Sequence, residues 1–251
     1  MTGRVLRRLA IALAFLTRLP VRVDAGEECS VGRSVAFFPL VGVLLGATLA
    51  ALAWLLDGRL PASVLAVLAA ALLAIVTGAL HLDGVADTFD ALGAPGADRA
   101  RMLEILRDSR IGAHGATALL LVVLLKVTAL HAILAGGHAP VAATLIAFPA
   151  LARFAAALVI VLFPYARTRG LGVAFHAHAR PRDVAAAGLV AALAVLAAGR
   201  ASVLAALVAT GLVLLFVRRV AGRLGGVTGD VCGAAIELAE VLFLVVVLAA
   251  S

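Results

Sequence analysis

Three aspartates stand close together where a long apolar stretch ends. Asp83, Asp87 and Asp90 are spaced i, i+4 and i+7, so a helix would project all three from one face. Clustered carboxylates repel one another unless a cation lies between them. Hard oxygen ligands suit Mg²⁺ that also binds substrate phosphates. The spacing therefore predicts a Mg²⁺-dependent phosphoryl-transfer site at a membrane edge.

Two residues within this run extend the predicted site. Gly84 leaves room for a phosphate or a neighbouring helix to approach the backbone. His81 is a candidate general base or hydrogen-bond donor to a phosphate. The alternative for His81 is a packing or hydrogen-bonding role, which is commoner for a lone histidine at a membrane interface. We group both residues with the substrate-binding set.

A second charged segment, Arg107-Asp108-Ser109-Arg110, precedes a later apolar stretch. Asp108 is a candidate metal ligand or base, and the planar guanidinium of Arg110 suits phosphate. Ser109, between them, is a candidate substrate-binding residue. The alternative is a solvated turn that anchors a helix at the lipid headgroups.

A glycine-rich run from Gly225 to Gly233 contains the third group of candidates. Successive glycines permit a nest of backbone N–H groups that binds phosphate, so Gly226 and Thr228 are candidate substrate-binding residues. Asp230 is a candidate to support the metal site and joins the same set. A flexible turn between helices is the alternative.

Two glutamates near the C-terminus lie inside an apolar stretch. An ionised side chain there costs roughly 2.5–3.5 kcal/mol unless it has a partner, so Glu237 and Glu240 need a counter-charge or a proton. Lys126 and Arg153 lie within other apolar stretches. We expect a buried pairing between one of these cations and one of the glutamates. Alternatively, Arg153 extends toward the cytosol and meets a substrate phosphate.

The composition indicates which elements must position these residues. Of 251 residues, 64% are hydrophobic and 14% are charged, whereas soluble domains are about one quarter charged. The apolar residues are mainly Ala, Leu and Val, without the alternation typical of a membrane β-barrel. The sequence therefore predicts an all-α, polytopic membrane bundle.

About 20 apolar residues cross the hydrocarbon core, which predicts about seven transmembrane helices. The expected spans lie near 35–56, 63–82, 114–134, 140–163, 184–198, 202–217 and 233–250. The fifth and sixth form either a tight hairpin or a pair with one re-entrant member. The basic N-terminus and the apolar run after it predict an uncleaved amphipathic or re-entrant segment at the interface. We expect one membrane-embedded catalytic domain over 1–251.

The basic residues indicate the orientation of these spans. With a cytosolic N-terminus, 17 of the 21 Lys and Arg residues lie in cytosolic segments, and only Arg59 and Arg200 lie in outside turns. This predicts a multi-pass protein of the inner (cytoplasmic) membrane with its active site facing the cytosol. Because the arginines lie between spans rather than in one block, the net charge of +7 indicates a lipid bilayer as partner and no nucleic acid. The basic segment 164–180 is expected to be a flexible substrate-binding loop.

Several motifs, in this order, resemble the adenosylcobinamide-GDP ribazoletransferase family, also called cobalamin synthases. They are Phe15-Leu-Thr-Arg18-Leu-Pro20, Phe38-Pro-Leu-Val-Gly42, the run 78–90, the run 107–115 and the run 226–230. The resemblance covers almost the whole chain. One departure is Ala79, where the family pattern leads us to expect a second glycine.

The resemblance implies a reaction in which adenosylcobinamide-GDP and α-ribazole, or its 5′-phosphate, give adenosylcobalamin, or its 5′-phosphate, and GMP, with Mg²⁺ as cofactor. Asp83 and Asp87 are then expected to bind the metal, with Asp108 as a further ligand. Asp90 or Asp108 is expected to be the base, while Arg18 and Arg110 hold phosphate. A homo-oligomer, or an association with other cobalamin pathway enzymes, is left open.

Two alternatives come from other classes. A CDP-alcohol phosphatidyltransferase also uses aspartates at a membrane edge, but its motif has a different order from Asp83-Gly84-Val-Ala-Asp87. A transporter would use the intramembrane charges as a pathway. Transport requires access from both faces, and the short outside turns favour an enzyme.

Overall fold

The computed structural model describes residues 2–21, 28–136 and 140–250. Its helices are α1 (Thr2–Leu16), α2 (Glu28–Arg33), α3 (Phe38–Leu56), α4 (Ala62–Thr77), α5 (Leu80–Gly93), α6 (Arg99–Ile105), α7 (Ala113–Gly136), α8 (Val141–Leu162), α9 (Leu171–His178), α10 (Pro181–Ala197), α11 (Arg200–Leu224) and α12 (Gly229–Ala250). A short 3-10 turn, Ser34–Phe37, joins α2 to α3. The predicted all-α class is confirmed. Helix α9 lies within the segment 164–180 that was expected to be a flexible basic loop, so that expectation was wrong for residues 171–178.

Five helical segments of the described chain are long and apolar enough to cross a membrane individually: α3 with its preceding turn and α2, α7, α8, α11 and α12. Helices α4 and α5 qualify only as a pair, with a bend of 88° between them. The span expected near 184–198 corresponds to α10, whose 17 residues are at the lower limit for a crossing. The expectation of about seven spans is therefore approximately met.

The loops between helices separate into two ends of the bundle. Arg99 Nη2 donates to Ala166 O at 3.4 Å, and Arg223 Nη1 donates to Leu92 O at 3.1 Å. The loops after α5, α8 and α11 thus meet at one end, which we call the basic end. The arginines of these loops are among those that the distribution of basic residues assigned to cytosolic segments. Arg22, which also entered that argument, lies outside the described residues.

Helices α8 and α12 form the centre of the bundle, since 72% of the most apolar stretch of each helix is buried. Helix α3 crosses α8 closely because two glycines one turn apart, Gly42 and Gly46, lie against it. A Cβ atom at Gly42 would overlap the backbone at Pro149, and one at Gly46 would overlap the backbone at Ile146. Small residues at this spacing allow membrane helices to pack by backbone contact.

The bend between α4 and α5 positions the acidic segment. Gly78 and Ala79 have φ angles of +62° and +55°, which end α4 and turn the chain. Helix α5 then packs against the first turns of α7 and α12: Gly115 contacts Asp90, and Gly233 contacts His81. Helices α4 and α5 therefore form one bent pair, and α5 brings Asp83 and Asp87 to the basic end.

Replacing Ala79 with glycine is expected to stabilise the protein by up to about 1 kcal/mol. Among the described residues, Ala79 is the only non-glycine residue with a positive φ. This conformation costs roughly 1–2 kcal/mol for a residue with a side chain. Glycine also raises the conformational entropy of the unfolded chain, which offsets about 0.4–1 kcal/mol of the stabilisation gained by removing this cost. Thermal unfolding midpoints in detergent measure the difference. Ala79→Val is the control and should lower the midpoint; a lower midpoint for Ala79→Gly than for the wild-type protein would contradict the prediction.

Candidate active site

A cavity of about 610 Å³ opens at the basic end between α5, α7, the start of α12 and the segment 106–111. We call it the acidic cavity. The structure brings six of the predicted site residues to its wall: Asp83, Asp87, Asp108, Ser109, Arg110 and Asp230. Side chains from three separate parts of the chain thus surround one space large enough for a diphosphate.

Asp83 and Asp87 lie one turn apart on α5, and both line the acidic cavity. Asp83 is exposed and Asp87 is half-buried. Within the described ranges, neither carboxylate has a hydrogen bond or an ion pair. Partial burial, and then repulsion from Asp83 and Asp230, raise the pKa of Asp87 to about 7. Such a pair of carboxylates without partners is suited to a bound cation.

Asp230 faces these two carboxylates from the first turn of α12. Its Oδ2 accepts hydrogen bonds from Arg167 Nη2 at 2.8 Å and from Thr228 Oγ1 at 3.1 Å. Arg167 Nη2 also donates to Leu106 O at 3.1 Å. Arg167 therefore connects the loop after α8 with both sides of the acidic cavity.

Asp108 and Arg110 form an exposed ion pair at the cavity mouth. Arg110 Nη2 lies 2.6 Å from Asp108 Oδ2, and Arg110 Nε lies 3.0 Å from Asp108 Oδ1. Hydrogen bonds from Arg110 lower the pKa of Asp108 to about 2, which makes this carboxylate a weak base. The assignment of Asp108 as base stays a prediction, and the ion pair leaves the outer face of Arg110 open to solvent.

Asp90 caps the start of α7. Its Oδ2 accepts from Gly112 N at 2.6 Å and its Oδ1 accepts from Gly115 N at 2.8 Å. Both oxygens thus satisfy backbone donors that a helix start leaves without partners. Asp90 was expected to be a candidate base, and this geometry favours a structural role instead.

Asp90→Ala is expected to lower the free energy of unfolding by about 0.5–2 kcal/mol, as loss of a helix cap does. Thermal unfolding in detergent measures this effect. Asp90→Asn, which keeps one acceptor oxygen, should lose less. A catalytic base would give the opposite pattern, with unchanged stability and little turnover in both variants.

The glycine-rich loop is a structural element of the site. Gly226 N donates to Ala221 O at 2.9 Å, and Val227 N donates to Pro164 O at 2.8 Å. The buried hydroxyl of Thr228 accepts a 3.4 Å hydrogen bond from Val231 N and caps α12. Because these two loop amides are already bonded to carbonyls, they are not free to cradle a phosphate, and the predicted substrate-binding roles of Gly226 and Thr228 stay predictions.

Gly84 provides the close contact that sets the width of the acidic cavity. A Cβ atom at this position would lie 2.5 Å from Asp230 O. Of the two reasons expected for this glycine, approach of a neighbouring helix is therefore the one that the structure supports. The contact holds α5 against the first turn of α12.

Arg18 and His81 lie on the other side of Asp230, where they line a second cavity of about 330 Å³. Arg18 is exposed, and a Cβ atom at Gly78 would overlap its side chain. His81 is buried and its Nδ1 has no hydrogen-bond partner within the described residues. These two predicted residues therefore belong to a space distinct from the acidic cavity.

A buried ion network connects the three helices beneath the site. Lys126 Nζ of α7 lies 2.5 Å from Glu237 Oε2 and 2.5 Å from Glu240 Oε2 of α12. Arg153 of α8 forms an ion pair with Glu240 Oε1. The expected pairing is confirmed, and both cations take part. The alternative in which Arg153 reaches toward the cytosol was wrong, because its side chain is 1% exposed.

The donors present fit Mg²⁺, although they do not enclose it. No three His, Cys, Asp or Glu side chains of the described chain converge as a closed set of ligands. Mg²⁺ usually keeps several waters and uses one or two carboxylates together with substrate phosphates. The oxygens of Asp83 and Asp87 lie on an open cavity and have no partner in the part of the chain that the structure describes, so they meet that smaller requirement.

Arg167 is a site residue that the sequence pattern did not predict individually. The basic composition of 164–180 pointed to this segment, but several arginines in it were equivalent by type and spacing. The contacts of Arg167 with Asp230 and Leu106 O distinguish it from the others.

Comparison with known proteins identifies a matching family and several similar sequences. A family model described as cobalamin-5-phosphate synthase matches residues 8–248. A Pseudomonas aeruginosa protein named adenosylcobinamide-GDP ribazoletransferase is 44% identical over 245 residues, covering 96% of this chain and 97% of the relative. Proteins of the same name from Klebsiella pneumoniae (41% identical; 94% and 97% covered) and Desulfitobacterium hafniense (38% identical; 95% and 95% covered) are also similar. No solved structure matches the chain.

Proposed function

The chain belongs to the cobalamin-5-phosphate synthase family, and on that premise we propose that it joins adenosylcobinamide-GDP to α-ribazole, or its 5′-phosphate, in the last assembly of the cobalamin nucleotide loop. The observation that carries this proposal is the acidic cavity, in which the carboxylates of Asp83 and Asp87 have no hydrogen-bond or ion-pair partner among the described residues. Because the family is that of cobalamin-5-phosphate synthases, it argues against the two alternatives, a CDP-alcohol phosphatidyltransferase and a transporter.

In the proposed reaction, the oxygen of a ring hydroxyl of the ribose in α-ribazole forms a bond to the phosphorus on the cobinamide side of the diphosphate, because the product formed from α-ribazole 5′-phosphate keeps its 5′-phosphate. The bond from that phosphorus to the oxygen bridging toward guanosine breaks, and GMP leaves with the bonding electrons. The hydroxyl proton passes to a carboxylate of the acidic cavity. Mg²⁺, held by Asp83 and Asp87, would neutralise charge on the diphosphate.

The remaining residues position the substrate. Arg110, at the cavity mouth, is suited to hold a phosphate oxygen through its open face. Arg167 holds the Asp230 carboxylate in place by a 2.8 Å hydrogen bond. Asp90 and Gly84 keep α5 against α7 and α12, which maintains the distance across the cavity.

Product formation by purified protein in liposomes tests the proposal. Adenosylcobinamide-GDP and α-ribazole are supplied with Mg²⁺ or with a chelator, and GMP and corrinoid products are quantified. We expect equal amounts of GMP and adenosylcobalamin, with both lost on chelation. No product from protein that is folded, as judged by its thermal unfolding transition, would overturn the proposal.

We further propose that the basic end faces the cytosol, since arginine-rich segments are retained on that side. In protein with Cys29 and Cys232 replaced by serine, a membrane-impermeant thiol reagent is applied to intact spheroplasts. Asp57→Cys, in the turn between α3 and α4, should react at once. Ser109→Cys should react only after permeabilisation; the reverse pattern would contradict the proposed orientation.

A further inference from the structure

We propose that the second cavity, beside Asp230, binds the α-ribazole substrate with its aromatic base inside and the ring hydroxyls of its ribose toward the acidic cavity. This inference rests on the proposed function and identifies which of its two substrates occupies this space. The cavity volume of about 330 Å³ is in the range of sites for small ligands.

The inner wall of the second cavity is apolar and suits a flat base. Phe15 of α1, Ala156 and Ile160 of α8 and Ile236 of α12 line it. Phe15 is held in place by ring contacts with Phe38 and Phe175, with centroid distances of 5.7 and 4.5 Å. A fixed aromatic ring beside aliphatic side chains provides a surface for a benzimidazole ring.

The wall also contains a buried polar group that lacks a partner. His81 is 3% exposed, lines the cavity, and has an Nδ1 atom without a hydrogen-bond partner in the described residues. A buried polar atom without a hydrogen bond costs about 1–3 kcal/mol. A ribose hydroxyl or a ring nitrogen of the nucleoside would supply the missing bond.

Asp230 joins the two cavities, because it lines both of them. A nucleoside with its base against Ile160 and its ribose near Asp230 would present a ring hydroxyl of that ribose to the acidic cavity. The oxygen would there meet the cobinamide-side phosphorus of the diphosphate, form the new P–O bond and displace GMP. Each substrate thereby approaches from its own cavity, which gives the orientation that phosphoryl transfer requires.

Size excludes the corrin ring of the other substrate from this space. That ring is several times larger than α-ribazole and cannot enter a cavity of about 330 Å³. The acidic cavity, at about 610 Å³, is large enough for the diphosphate while the ring remains outside. The second cavity is therefore suited to the smaller of the two substrates.

Arg18 is exposed and lines this cavity beside the buried Thr17 and Thr77. Its charge would attract a phosphate on the 5′-carbon. Arg18 therefore determines specificity between phosphorylated and free ribazole in this proposal, whereas the apolar wall determines affinity for the base that both share.

Filling the cavity tests the proposal by steady-state kinetics in liposomes. Ala156→Leu is expected to raise the KM for α-ribazole by about 10-fold or more, as overpacking of a well-fitted site does, and to leave the KM for adenosylcobinamide-GDP unchanged. Ala142→Leu is the matched control on the same helix, because it lines a cavity at the opposite end; it should change neither KM. A rise in the KM for adenosylcobinamide-GDP would overturn the proposal. No change in either KM would also overturn it, and this is the result expected if a lipid chain fills the cavity.

A second variant keeps the test informative if Ala156→Leu does not fold. Ile160→Ala enlarges the cavity and should shift the preference, measured as a ratio of kcat/KM values, toward a ribazole analogue with a bulkier base. An unchanged preference would overturn the proposal. Inactive wild-type protein would instead count against the proposed function, so the two failures are distinguishable.

Arg18→Gln provides the third measurement. It should raise the KM for α-ribazole 5′-phosphate by about 10-fold, as loss of a charge-assisted hydrogen bond does, with little change for α-ribazole. An equal change for the two substrates would contradict the assignment of Arg18 to the 5′-phosphate.

Discussion

Asp83→Ala is expected to lower Mg²⁺-dependent turnover by about 10²–10³-fold, the range observed when one electrostatic contact to a transition state is removed. Asp83 is exposed on the acidic cavity and has no partner among the described residues, so its removal should cost activity without unfolding the protein. The concentration of Mg²⁺ that gives half-maximal activity should also rise. Initial rates of GMP release over a Mg²⁺ titration measure both effects.

Asp57→Ala is the control for this prediction, since Asp57 is an exposed aspartate at the opposite end of the bundle. It removes the same charge from the protein and should leave both the rate and the Mg²⁺ dependence unchanged. Full turnover by Asp83→Ala, or an equal loss for the two variants, would contradict the metal-binding role of Asp83.

Glu240→Ala is expected to destabilise the protein by about 3–5 kcal/mol, the usual cost of removing one partner from a buried ion network. Glu240 is 1% exposed and bonds both Lys126 and Arg153. Without it, two buried cations share the single carboxylate of Glu237. Unfolding of purified protein in a series of detergent mixtures, followed by circular dichroism, measures the change.

Glu104→Ala is the matched control for the buried network. Glu104 also forms an ion pair, with Arg101 at 2.7 Å, but its side chain is 69% exposed, and such surface pairs contribute about 0–1 kcal/mol. If Glu240→Ala does not express, Glu240→Gln keeps the shape and one acceptor and should be intermediate. Equal stability of the Glu240 and Glu104 variants would contradict a stabilising role for the network.

The positions of the helices and the acidic segment could be predicted because both depend on local patterns. Long apolar runs must satisfy their backbone hydrogen bonds internally, which requires helices in a bilayer. The spacing of Asp83 and Asp87 places them on one face of any helix. The 88° bend before α5 was not predicted, because Ala79 gives no sequence signal for a positive φ.

The roles of individual polar residues were less predictable. Asp90 shares its spacing with Asp83 and Asp87, yet it caps α7 because Gly112 and Gly115 lie beside it in space. Arg167 resembles its neighbouring arginines in sequence and is distinguished only by Asp230, 63 positions away.

The sequence by itself determined that this protein is a helical membrane bundle with its acidic and basic loop residues on one side, because hydrophobic length, helical spacing and charge distribution are properties of short segments. Only the tertiary structure decided that Lys126 pairs with both Glu237 and Glu240, which are 111 and 114 positions away, and that Asp230 lies between two cavities. Those facts depend on how α5, α7, α8 and α12 pack together. Helix packing brings distant residues within a few ångströms, which spacing along the chain does not encode.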